Sequence, residues 1–151
     1  MTFELRGAPR ETQPSTEPIS VSSPILVLIV EDEETVRMIA VSGLRQAGFH
    51  ILEAENAEEA LLLLEKSSGI DAVLTNLQVP GTFNGLELAR AVRGRWPSIA
   101  VLLTSGGVHP ESGALPDGVT FIPKPYRHAQ IVRQIVSHVS RHRQQESKKH
   151  G

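Results

Sequence analysis

Five polar residues stand where apolar runs of this 151-residue chain stop. Glu31 and Asp32 follow "PILVLIV" (24–30), and Asn76 closes "IDAVLTN" (70–76). Ser105 closes "IAVLLTS" (99–105), and Lys124 follows "VTFIP" (119–123). Brought together, these groups would make a definite chemistry. Adjacent carboxylates backed by apolar chain repel each other and favour a bound cation. Donors that are all oxygen suit a hard ion such as Mg²⁺, which takes few protein ligands and keeps several waters. A hydroxyl and an ammonium on the far side would bind an anion, a phosphoryl group foremost. Cation on one side and lysine on the other is the arrangement that stabilises charge in phosphoryl transfer. The unsettled member is Asn76, because an amide is a poor nucleophile and a weaker ligand than a carboxylate.

Whether these residues meet depends on the elements behind them. The run 24–30 is continuous, apolar and β-branched, as a strand buried on both faces should be. Val36, Ile39, Ala40, Gly43 and Leu44 then recur at helical spacing, and Gly48 supplies a stop. A short strand, "HILEA" (50–54), follows. Asn56 with Glu59 three residues on is a capping signal, opening a helix that carries Ala60, Leu61, Leu63 and Leu64. Strands over 70–76, 99–105 and 119–123 enclose a helix over 85–96. A last helix runs from about Arg127, with Ile131, Val132, Ile135, Val136 and Val139 on its inner stripe. Strands alternating with helices of this length imply βαβ units, right-handed crossovers and a parallel sheet, hence an α/β fold. Five strands fit the flavodoxin-like doubly wound order 2-1-3-4-5. Ligands of such sheets bind at the carboxyl ends near the switch in strand order, where the five residues would converge.

Composition narrows the partners. With 15 Lys+Arg against 17 Asp+Glu, the formal charge of -2 gives no global pull toward nucleic acid or an anionic membrane. The absence of cysteine removes disulfides, thiolate nucleophiles and Cys-based zinc sites. No run reaches about 18 consecutive apolar residues, so a membrane span is not expected. Glu4, Arg6, Arg10 and Glu11 interrupt the apolar core a signal peptide needs, and a cytoplasmic location is expected. Residues 1–24, with Pro9, Pro14, Pro18 and Pro24, read as a disordered tail. The folded domain is expected over 25–140, and the basic tail 141–151 is expected to fray. That tail lacks interleaved aromatic residues, so it does not read as a nucleic-acid arm. His138 and His142 are spaced to share a metal, yet with no acidic or Cys companion a solvated face is the better reading.

The segments "LIVEDEE", "LTNLQVPGTFNGLEL", "VLLTSG" and "FIPKPY" resemble the receiver (CheY-like) domain of bacterial two-component response regulators, over about 25–140. In that family a carboxylate after the third strand accepts a phosphoryl group from a histidine kinase or phosphotransfer protein, with Mg²⁺ alongside. The resemblance implies a signalling module rather than an enzyme. It makes Asp32 a direct metal ligand, Glu31 a water-mediated one, and the backbone carbonyl of Gln78 a further one. Asn76 falls at the phospho-acceptor position, which is also a metal position. Ser105 would contact the phosphoryl group, with Thr104 the alternative one residue earlier, and Lys124 would be its ammonium partner. Lys124–Pro125 is expected to be a cis peptide, and Phe121 falls at the aromatic switch position that moves with Ser105.

Three departures bear on function. Asn76 replaces the acceptor aspartate, so the form read here should take no phosphoryl group there and should bind Mg²⁺ more weakly. The retention of Glu31, Asp32, Ser105 and Lys124 favours a stand-alone receiver, a phosphorylation-controlled interaction switch with its acceptor substituted. A natural pseudo-receiver, acting as a phosphorylation-independent adaptor, is the alternative. The segment 106–118 holds Pro110, Gly113 and Pro116, so the fourth helix should be short or absent. Receivers commonly signal to downstream proteins through that helix, the fifth strand and the last helix, so partner choice should be unusual. Finally, "PGTFNG" (80–85) is longer than the common loop and should bring Phe83 to the rim of the pocket. A small α/β enzyme is disfavoured, since no Gly-rich phosphate loop or histidine lies at a strand end.

Overall fold

The computed structural model describes residues 23–81, 84–107, 109–111 and 113–150. Its strands are β1 (Leu26–Val30), β2 (His50–Ala54), β3 (Ala72–Asn76), β4 (Ala100–Ser105) and β5 (Val119–Pro123). Between and after them lie α1 (Glu34–Gln46), α2 (Ala57–Lys66), α3 (Gly85–Arg95) and α4 (His128–His150). The strands form one parallel sheet in the order β2-β1-β3-β4-β5, as expected. Successive strand residues feed two separate cores, because side chains alternate across a sheet. Val27, Ile29, Ala72, Leu74, Ala100 and Leu102 pack against α1 and α4. Leu28, Val30, Val73 and Val101 pack against α2 and α3. Burial on both faces is why β1, β3 and β4 show no polar alternation in the sequence.

The helix ends are set by local chemistry. Asn56 accepts from the Glu59 N–H at 2.7 Å, but the Glu59 carboxylate returns to the Glu55 N–H at 2.6 Å, outside the N-cap residue. The reciprocal capping box forms instead at α3, where Asn84 and Glu87 exchange both bonds at 2.8 and 3.0 Å. On α1 the buried stripe is Ala40, Val41 and Leu44. Ile39, expected inward, is exposed beside Met38. On α4 the expected stripe holds, with Ile131, Ile135 and Val139 buried.

Two segments differ from or sharpen the expectation. Residues 141–150, expected to fray, continue α4 to His150. Part of the reason is long range: the Arg143 guanidinium donates to the Ser23 carbonyl at 2.9 Å and lies 3.5 Å from Asp71 Oδ2. The described residues of 106–118 contain no helix, in keeping with the Pro and Gly density. That loop is tied to α3 through Arg90 on the Ala114 carbonyl at 3.2 Å and Arg93 on the Asp117 carbonyl at 3.0 Å. No helix among the described residues is long and apolar enough to cross a membrane. Residues 1–22 of the expected tail, and Phe83, lie outside the described residues.

Candidate functional site

The parallel register brings the strand ends level. Val30 pairs with Thr75, Asn76 with Thr104, and Ser105 with Pro123. Glu31, the first residue past β1, is held by its own N–H on the Ala54 carbonyl at 3.0 Å. The residue is only 6% exposed, and a buried carboxylate must find partners. One oxygen lies 3.5 Å from the Lys124 ammonium, and the other accepts the Glu33 N–H at 3.1 Å. Asp32 is exposed on the following turn.

Asn76 is half-buried at the end of β3. Its Nδ2 donates to the Gln78 carbonyl at 3.0 Å, which folds the strand exit back on itself. The Asn76 carbonyl accepts from Thr75 Oγ1 at 3.1 Å and lies directly against the Cα of Gly85, where a Cβ would overlap it. Lys124 is fixed from below by its N–H on the Ser105 carbonyl at 2.9 Å, and its bond to Pro125 is cis, as expected. Glu31, Asn76, Thr104, Lys124 and Tyr126 line one narrow crevice floored by Ile29 and Leu74. Burial pushes the Tyr126 hydroxyl above its ordinary pKa, and the neighbouring Glu31 charge pushes the same way.

The crevice thus brings together Glu31, Asn76 and Lys124, with the Gln78 carbonyl reached through Asn76. Ser105 and Phe121 do not line it. Ser105 is buried, and Thr104, its one-residue alternative, is the hydroxyl in the crevice. Ile122 belongs to the α1/α4 core, so Phe121 faces the other side of the sheet. There its ring meets His109 of the 106–118 loop, centroids 5.2 Å apart and planes at 59°.

Sequence reasoning missed Tyr126, which lines the crevice, and also Arg37. The Arg37 guanidinium donates to the Glu31 carbonyl at 2.8 Å and to Glu53 Oε1 at 3.0 Å. An arginine in the first turn of a helix that follows "EDEE", with Glu53 and Glu55 at the end of the adjacent strand, was the available signal. The His138–His142 pair also gains a companion, since His142 Nε2 lies 3.6 Å from Glu146. The rings stack with centroids 6.5 Å apart, and His138 Nε2 sits 3.3 Å from the Ser98 carbonyl. Burial lowers the His138 pKa against the opposing effect of that bond.

As they stand, the crevice donors fit a divalent cation poorly. One Glu31 oxygen and the Gln78 carbonyl already accept from nitrogen donors of the chain, and the other Glu31 oxygen is paired with the Lys124 ammonium at 3.5 Å. Among the described residues no group of three His, Cys, Asp or Glu side chains gathers to hold an ion.

Residues 27–136 match the family model of the response regulator receiver domain. The chain is 34% identical over 106 residues to the chemotaxis protein CheY homolog of Campylobacter jejuni, covering 66% of this chain and 81% of that protein. It is 32% identical over 119 residues to the sensor kinase CckA of Brucella abortus, covering 76% of this chain but 12% of the kinase. A cyclic di-GMP phosphodiesterase of Thermotoga maritima is 34% identical over 79 residues, and the match spans 20% of that protein. Among solved structures, the receiver domain of the hybrid histidine kinase CckA superposes with a TM-score of 0.63 at 32% identity, covering 76% of this chain and 98% of that domain.

Proposed function

This chain belongs to the response regulator receiver family, and from that membership we propose that it is a cytoplasmic two-component signalling module that takes no phosphoryl group at residue 76. One observation carries the reading: the side chain at the acceptor position donates a hydrogen bond, from Asn76 Nδ2 to the Gln78 carbonyl. An ionised carboxylate has no hydrogen to donate and could not make that bond. The amide oxygen has little nucleophilicity, so attack on phosphorus is lost while the shape of the strand exit is kept.

The rest of the pocket supports a machinery that a carboxylate at residue 76 would restore. Lys124 lines the crevice, and Thr104 supplies a hydroxyl to it. The phosphodonor of the restored form would be a histidine kinase or phosphotransfer protein, and its output a contact with a downstream protein. Ser105 and Phe121 are the residues through which that output would switch. The test is Asn76→Asp with radiolabelled acetyl phosphate and Mg²⁺. The variant should acquire about one alkali- and hydroxylamine-labile phosphoryl group per chain, and the present chain none. An unlabelled variant sinks the reading.

A second reading, a phosphorylation-independent adaptor, is favoured by the packing of His109 on Phe121 and by the two arginine ties to the 106–118 loop. The first gives the Phe121 ring a partner within the chain, and the others tie the loop to α3. This reading requires equal partner affinity for the chain and its Asn76→Asp variant, with and without phosphodonor. A clear difference rules it out.

A further inference from the structure

We propose that the Lys124 ammonium occupies the role of the divalent cation in this pocket, and that the Asn76 amide closes the carbonyl such a cation would need. The proposal rests on the receiver reading above for where the cation would sit, and on the geometry for why it is displaced. A cation site needs uncompensated negative charge and oxygen donors with lone pairs to spare. Three carboxylates against one ammonium would leave that charge. With asparagine at residue 76, the buried part of the crevice holds one carboxylate, Glu31, against one ammonium, Lys124, 3.5 Å away.

The donors are engaged in the same way, each oxygen having one partner within the chain. One Glu31 oxygen accepts the Glu33 N–H at 3.1 Å, and the other forms an ion pair with Lys124 at 3.5 Å. The Gln78 carbonyl accepts from Asn76 Nδ2. Arg37, its side chain 12% exposed, covers the Glu31 carbonyl, while its own charge is paired with Glu53 at 3.0 Å. The other carboxylate at the strand end, Asp32, is exposed and screened by solvent. The buried part of the pocket is therefore neutralised from within, one ammonium against one carboxylate.

A plainer account is that an amide is simply a weaker ligand than a carboxylate. The two accounts part at Lys124. If the ammonium stands in for the cation, removing it opens Glu31 to Mg²⁺ even with Asn76 in place; if ligand strength alone matters, removing it changes nothing.

The experiment is Mg²⁺ titration of the full chain by calorimetry and thermal unfolding. The chain itself should show no saturable binding at millimolar Mg²⁺ and no change in Tm. Asn76→Asp should gain saturable binding over that range. Lys124→Met should lose stability, bind Mg²⁺, and recover part of its lost Tm on binding. Lys124→Gln, which keeps a polar group near Glu31, carries the same expectation in weaker form should the methionine variant not fold. Saturable Mg²⁺ binding by the unaltered chain overturns the proposal, as does a Lys124 variant whose Mg²⁺ response matches that of the unaltered chain. Failure of phosphoryl labelling in Asn76→Asp would sink the functional reading and leave these results standing.

Discussion

The two ends of the sheet are built alike. At the amino end Asp71 accepts the Leu26 N–H at 2.9 Å and lies 3.5 Å from Arg143, which also binds the Ser23 carbonyl. At the carboxyl end Glu31 accepts the Glu33 N–H at 3.1 Å and lies 3.5 Å from Lys124. Each end thus has a carboxylate, a backbone N–H on one of its oxygens, and a cation brought from far along the chain. The amino end is a clasp, fixing the start of β1 to the end of α4. A ligand-binding end of a parallel sheet is expected to differ, keeping unsatisfied groups for its ligand. Here it differs little, since the carboxyl end has been saturated as a clasp is. The remaining contrast lies in Asp32, exposed beside the crevice, and in the close backbone packing around Asn76.

Breaking that packing should have the largest effect. Gly85→Ala places a Cβ on the Asn76 carbonyl oxygen, and the obstruction is backbone, which cannot rotate away. A loss of about 3 kcal/mol in urea unfolding is expected. A loss below about 1 kcal/mol would show a carboxyl end that yields, unlike a clasp. The amino end should break next. Asp71→Ala leaves the Leu26 N–H and the Arg143 guanidinium without their acceptor, at a cost of about 2 kcal/mol. Faster amide exchange over 141–146 should accompany it, and unchanged exchange there would remove Arg143 as the anchor of α4. Smaller again is Asn84→Ala, which removes the cap of the helix that begins at Gly85, at about 1 kcal/mol. Asn56→Ala should cost less than Asn84→Ala, because the reciprocal bond at Asn56 is not made.

The contrast between ends also explains what the sequence did and did not reveal. The sheet and its order were legible because each strand is a short apolar run bounded by turn residues, a signal carried within a few positions. The strand-end residues were legible for the same reason, since a polar residue closing such a run has one place to go. Arg143 and Arg37 were not. The first reaches Ser23, 120 positions away, and the second bridges two strands through a long side chain whose direction no local pattern records. Asn76 was legible by position and opaque in action. Its donation to Gln78 depends on a rotamer and a backbone turn, which residue type alone does not fix. The same N-x-x-E signal occurs at Asn56 and Asn84, and only packing decided which one closed into a full box.

The smallest expected effect separates the ends by pH. His138 packs below β4 on the Ser98 carbonyl, and burial lowers its pKa from 6.5. The unfolded chain then binds a proton that the folded chain resists. Stability is therefore full above the ordinary pKa and declines as pH falls through it. Tyr126 lines the carboxyl-end crevice, and burial with the Glu31 charge raises its pKa from 10.0. There the unfolded chain loses its proton first, so stability holds below that value and declines as pH rises past it. The amino-end residue should thus weaken the fold in acid and the carboxyl-end residue in alkali. Thermal unfolding across pH measures both arms at once. His138→Gln should flatten the acid arm near 6.5, and Tyr126→Phe the alkaline arm above 10.0, each leaving the other arm in place. If both variants keep the slope of the parent on their own arm, neither residue senses its end of the sheet as its burial requires.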